Sequence, residues 1–169
     1  TPPPPGFDAG PPPPGFDDAT DYVSARWTFR HDLRDSTGRT RKGTLLSLDL
    51  EPLSDVNGAD RNAARATARG AVFVPLAPRY RVLVLSGGAA GATPWTEAGT
   101  VPLPGQVVLG RTTYLRGYDK RRFRDLMGYW GNVEYRYPIF EFRDTGVGLS
   151  STLFFDVGRV AGAPEELVE

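Results

Sequence analysis

The sequence predicts an all-β chain: an antiparallel set of about six strands, forming either a stretch of transmembrane β-barrel wall or a soluble two-layer sandwich. Three observations carry this. Apolar and polar residues alternate with period two in separate stretches along the chain, no stretch has convincing helical spacing, and turn residues stand between the stretches. Two features favour the barrel. Aromatic residues sit near strand ends on the apolar faces (Trp27, Phe29, Tyr135, Tyr137), where an interfacial girdle belongs, and the opposite faces are rich in Arg, Asp and Glu. A sandwich also alternates, with its polar face outward, so periodicity alone leaves both architectures open.

The elements follow in order. Residues 1–20 form a proline-rich segment in which Pro-Pro-Pro-Pro-Gly-Phe-Asp occurs at 2–8 and again at 11–17. Proline removes backbone donors and favours an extended coil, so this reads as a linker or low-complexity tail. Tyr22 to Arg30 sets Val23, Ala25, Trp27 and Phe29 against Ser24, Arg26, Thr28 and Arg30. Thr44 to Glu51 sets Leu46, Leu48 and Leu50 against Ser47, Asp49 and Glu51. Arg65 to Leu76 alternates in the same way, and Tyr80 to Gly87 is a short apolar run ending in Gly-Gly. Residues 92–130 read as one long loop, a length that in a compact domain marks function or disorder. Asn132 to Ile139 opposes Asn132, Glu134 and Arg136 to Val133, Tyr135, Tyr137 and Ile139, and Gly146 to Val160 closes the series. Strands of roughly 8–12 residues are long enough to cross a bilayer when tilted. Turns are expected at Asp35-Ser-Thr-Gly38, Asn57-Gly58, Ala77-Pro78 and Asp144-Thr-Gly146, with a helical turn near 58–66 and a short tail at 162–169.

Composition removes several classes of function. Lys+Arg and Asp+Glu are both 20, so the chain is neither a strongly basic nucleic-acid binder nor an acidic tail protein. It has no cysteine, which excludes disulfides and thiolate zinc sites, and a single histidine, His31, cannot build a His-rich metal site. No apolar run approaches the ~18–20 residues of a membrane helix. No basic start precedes an apolar stretch, so no signal peptide is visible, as expected of a cytosolic protein, a processed one or a fragment. Gly87-Gly-Ala-Ala-Gly91 lacks the lysine and helix start of a phosphate loop. Asp119-Lys-Arg-Arg-Phe-Arg-Asp125 carries acidic neighbours that argue against a nucleic-acid patch. No nucleophile has a base, so a non-enzymatic protein without cofactor or metal is expected.

Three blocks then narrow the reading: Leu115-Arg-Gly-Tyr118 followed by Phe123, Asn132-Val-Glu-Tyr-Arg-Tyr-Pro138, and Phe154-Phe-Asp-Val-Gly158. A fourth, His31-Asp-Leu-Arg-Asp35 with Gly43, lies upstream, and Leu103-Pro and Val108-Leu-Gly110 lead into the long loop. In this order the blocks resemble the bacterial surface antigen superfamily of outer-membrane barrels, over about residues 21–161. The resemblance implies part of a barrel of about sixteen antiparallel strands with a long inward-folded loop. Its members insert or translocate other proteins at the bacterial outer membrane. The partners it implies are outer-membrane lipid, unfolded or translocating client proteins and accessory lipoproteins.

It also implies that Arg116 sits on the loop tip inside the barrel. A desolvated guanidinium needs a partner, and its planar fork suits a carboxylate. By strand alternation Glu134 and Asp156 both face the lumen. The expectation is therefore Arg116 paired with Asp156, with Glu134 as a second acceptor. Gly117 is expected to give the tip its tight turn, Tyr118 to pack on the inner wall, and Phe154 to hold the tip, with Gly158 ending the same motif. By itself Arg-Gly-Tyr reads as a surface turn, and Glu134 with Arg136 as a solvated strand face.

The chain departs from the family in strand number, since a closed bacterial barrel needs at least ~8. The closing strands, the terminal aromatic residue and the client-receiving N-terminal repeats have no counterpart in it. A fragment, or a remainder lying in another chain, is expected. Two further readings remain: the barrel anchor or export domain of a multidomain surface enzyme, and a soluble β-sandwich binding module.

Overall fold

Alternation of apolar and polar side chains only becomes a sheet when neighbouring strands agree on which face is apolar, and here they do. The computed structural model describes residues 21–58, 61–76, 80–95, 99–110, 114–141 and 148–167. The strands are β1 (Tyr22–Ser24), β2 (Trp27–Asp32), β3 (Gly43–Asp55), β4 (Ala63–Leu76), β5 (Arg81–Pro94), β6 (Val107–Leu109), β7 (Phe123–Asp125), β8 (Met127–Glu141) and β9 (Gly148–Ala161). Every pairing is antiparallel. The large sheet runs β1–β3–β4–β5–β8–β9, with β2 also on β3, and β6 and β7 form a separate ribbon.

β1 and β2 lie end to end along one edge of β3. They are one edge strand broken at Ala25–Arg26, where the Ala25 N–H still donates to the Pro52 carbonyl at 3.4 Å. The sheet therefore has six strand positions. Among the described residues β9 makes no pairing with β1 or β2, so the sheet is an open barrel segment and not a closed barrel.

Register places like with like. Phe29, Leu48, Ala68, Ala89 and Tyr129 stand opposite one another on one face, and Val72, Leu85, Val133 and Phe155 form another such row. The large side chains of this face are exposed, Phe155 at 68%. Among the described residues no second sheet covers it, which distinguishes a barrel wall from a sandwich layer. The other face carries the charges and the buried clusters, one of them Phe73, Val82 and Val84 and another Leu109, Leu115 and Trp130.

Several elements differ from the sequence expectation. β5 continues through Gly87-Gly-Ala-Ala-Gly91 to Pro94, and β8 begins at Met127, ahead of Asn132. The connection between them is thus 95–126, narrower than 92–130. Glycine disfavours strands locally, but this run is paired on both sides, by β4 and β8, and pairing overrides propensity. The helical turn near 58–66 is replaced from Ala63 by β4. In the tail, Pro164–Leu167 forms a 3₁₀ turn. The proline-rich segment 1–20 and the turns at Ala77-Pro78 and Asp144-Thr-Gly146 lie outside the described residues.

Candidate loop-anchoring site

The described residues of the connection 95–126 pack over the inner face of β5, β8 and β9. A 3₁₀ turn (Leu103–Gly105) and the β6–β7 ribbon form its stem. Leu109 is fully buried, and Leu115 and Trp130 nearly so, in one cluster with Tyr114, Phe123, Ala90 and Val160. Small residues on the wall make the seat. A Cβ on Gly158 would stand 3.2 Å from Leu115 Cδ2 and 2.9 Å from the Tyr129 carbonyl oxygen, and one on Gly128 would stand 3.2 Å from Val107 Cγ1. Gly110, at the end of β6, has φ +131°, and a Cβ there would stand 2.4 Å from the Asp119 carbonyl oxygen. Only glycine fits both demands. The tip is reached at the level of the Asn132–Asp156 pair, five residues below the Met127–Ala161 pair at the sheet's end. At about 3.4 Å per residue the loop descends roughly 17 Å along the wall.

There Arg116 is held by four hydrogen bonds. Its Nε–H donates to Asp156 Oδ2 at 2.9 Å and its Nη2–H to Asp156 Oδ1 at 2.5 Å, the two-pronged geometry of guanidinium on carboxylate. Its backbone N–H donates to Asp156 Oδ2 at 2.9 Å, and Nη1–H to Glu134 Oε1 at 2.6 Å. The Phe154 ring lies beneath the guanidinium, 3.9 Å from ring centroid to Cζ. Hydrogen bonding to Asp156 above all, against desolvation and helped by Glu134, raises the Arg116 pKa further above its ordinary value. Arg136 completes the set by donating from Nε and Nη2 to Glu134 Oε2 at 2.8 and 2.7 Å. Two guanidiniums and two carboxylates balance, so the cluster is neutral as a whole. The Asp156 side chain is only 6% exposed. Breaking a buried pair of this kind costs about 3 kcal/mol, because the remaining charge keeps its desolvation cost without its partner.

The structure thus brings Arg116, Glu134, Asp156 and Phe154 together, with Gly158 beneath the neighbouring Leu115. Two neighbouring residues behave differently from expectation. Tyr118 does not pack on the wall: it is 53% exposed and meets Phe123 edge-on at 5.0 Å, inside the loop. Gly117 is not among the positive-φ glycines, and a Cβ there would meet open space; among the described residues of this loop the demanding backbone positions are Gly110 and Arg121, at φ 61°.

Two other residues of the site had no role assigned from the sequence, Tyr114 and Asn132, although Asn132 heads the Asn132–Pro138 block. Asn132 donates from Nδ2 to Asp156 Oδ1 at 2.9 Å and to the Tyr114 carbonyl at 2.8 Å, tying the carboxylate to the loop backbone. Tyr114 packs on Trp130 with ring centroids 4.1 Å apart. The available signal for Asn132 was its place two residues before Glu134 on the same face.

A second ionic network occupies the inner face of β2–β4. Glu51 Oε2 accepts from Arg26 at 2.8 Å and Arg65 at 2.5 Å, while Asp49 accepts from Thr28 at 2.7 Å and from Arg69. Arg65 also donates to the Gln106 carbonyl in the loop stem at 3.4 Å. Among the described residues no group of three His, Cys, Asp or Glu is placed to hold a metal ion.

A family model described as the Omp85 superfamily domain matches residues 15–166. No match to a curated protein was found.

Proposed function

The chain belongs to the Omp85 superfamily, and from that premise we propose that it forms barrel wall and inward loop of a bacterial outer-membrane protein that inserts or translocates other proteins. The observation that carries the reading is the clasp on Arg116, which fixes a long connection against the inside of a wall whose outside is apolar. A loop held there narrows the lumen and stiffens one side of the sheet while the outer face meets lipid. No bond is made or broken in this role. The protein acts through the shape and charge of its lumen and through strand edges, and its partners are client polypeptides, membrane lipid and accessory lipoproteins.

The test is Arg116→Ala in the protein produced in the outer membrane of a bacterial host. The readouts are the yield of correctly folded or exported client and the heat-modifiable migration of the protein itself. We expect client yield to fall severalfold while the protein's own folded band persists. Full client yield with Arg116→Ala would sink the proposed role of the loop.

A further inference from the structure

Two rows cross β2, β3 and β4 on the lumen face, Thr28–Asp49–Thr67 and Arg30–Ser47–Arg69, and ahead of them Arg26, in the break before β2, reaches the Glu51–Arg65 pair through its side chain to make a first row. The first and third have similar flanks: an arginine on β4 in both, and on the other side Arg30 of β2 in the third and Arg26, in the break just ahead of β2, in the first. In the first, a carboxylate stands between them and is bound by both. In the third, Ser47 takes that place. Arg30 makes no salt bridge among the described residues, and its near neighbour Asp32 is already held in two-pronged fashion by Arg34. Arg69 gives one terminal nitrogen to Asp49, keeps a buried Nε without an acceptor, and leaves its side chain 37% exposed. A cavity of about 190 Å³ opens over this row, lined by Arg30, Ser47, Arg69, Ser86, Tyr114 and Asn132. Around this row Arg34 is matched by Asp32 and Arg69 by Asp49, and Arg30 is the positive charge in excess. Asp49, the nearest acid along β3, is already bound by Thr28 and Arg69.

We infer that Arg30, Ser47 and Arg69 form a carboxylate-binding notch in the lumen wall that receives an Asp or Glu side chain of a polypeptide lying in the barrel. Two arginines flank the notch at about 5 Å per strand spacing on either side of Ser47, close enough for one carboxylate to bridge them with the serine hydroxyl donating beneath. The cavity has room for a side-chain carboxylate, and an extended segment running along β3 would present one there. The proposal rests on the translocation or insertion reading above for the source of that polypeptide.

The experiment uses the whole chain in detergent micelles and a dye-labelled threonine-rich peptide with one central glutamate, its glutamine counterpart, and sodium acetate as competitor. Fluorescence anisotropy should show the glutamate peptide binding about tenfold tighter than the glutamine one, with the advantage shrinking as salt is raised. Arg30→Gln, which leaves no carboxylate orphaned, should remove the preference. Ser47→Asp supplies the missing carboxylate internally, so it should remove the preference and raise the thermal midpoint. Equal binding of the two peptides, a lowered midpoint for Ser47→Asp, or displacement by acetate at concentrations matching the peptide would each overturn the notch; the last would mean an adventitious ion only. Absence of the preference in the unsubstituted protein, with client handling intact, rejects this inference alone. A charge-dependent preference in a protein that handles no client rejects the functional reading instead.

Discussion

Asp156 accepts three of the four hydrogen bonds that Arg116 donates, and Glu134 accepts one. The two carboxylates are therefore not equivalent. Glu134 also has Arg136 to itself, so neutralising Glu134 leaves Arg116 its two-pronged partner. Asp156→Asn should raise amide hydrogen exchange at Leu115–Gly117 by about tenfold or more, corresponding to about 1.4 kcal/mol of local opening. Glu134→Gln should raise it about two- to threefold. Equal effects would contradict the unequal division of bonds. The partnership of Arg116 with these acids was legible because the resemblance put Arg116 on an inward-folded loop tip and alternation put Glu134 and Asp156 on the polar face. Asn132 was not, because its role depends on standing directly opposite Asp156, a register that one sequence does not state. Tyr118 was misplaced for a related reason. A loop tip chooses its own internal contacts, here Phe123, and no period governs it.

The strands that alternate large with polar residues were readable, and the strand made of small residues was not. β5 shows no alternation through Gly87-Gly-Ala-Ala-Gly91, because the signal consists of side chains that are absent. Their absence is what the fold uses. A Cβ on Gly88 would lie 2.4 Å from the Ala68 carbonyl oxygen and 2.5 Å from Trp130 Cζ2. Gly88→Ala should therefore push the Trp130 indole off the wall, separate it from Tyr114 and disturb the Leu109–Leu115 cluster. Such overpacking costs about 1–3 kcal/mol. With Trp27 and Trp95 replaced by phenylalanine as a common background, Trp130 emission should shift to the red in Gly88→Ala and the unfolding midpoint should fall. Gly158→Ala tests the other side of the same seat. Contact with Leu115 at 3.2 Å should loosen the tip while the β5–β8 pairing persists, so amide exchange should rise at Leu115–Gly117 and stay unchanged in β5.

At the scale of the molecule the two faces of one sheet differ in chemistry. The outward rows through Leu48, Val72, Val133 and Phe155 expose large apolar side chains, while Thr67, Ser86 and Asn132 face the loop-filled side. In water such a face would drive association, and in a bilayer it is the expected lipid boundary. An open sheet in lipid would also leave backbone donors and acceptors unpaired along β9 and along β1 and β2, so in the membrane these edges must meet further strands. The chain has no cysteine, so single cysteines can be placed without background. An environment-sensitive dye at positions 48, 72, 133 and 155 should emit in the blue in lipid vesicles and be quenched by brominated acyl chains. The same dye at 67 and 86 should be quenched by aqueous iodide instead. Because adjacent residues point to opposite faces, moving the label by one position along β8, from Val133 to Glu134, should exchange one behaviour for the other. A dye environment that varies smoothly along β8, without reversal at each step, would mean that this face does not lie against lipid. The apolar rows would then have to be covered by protein.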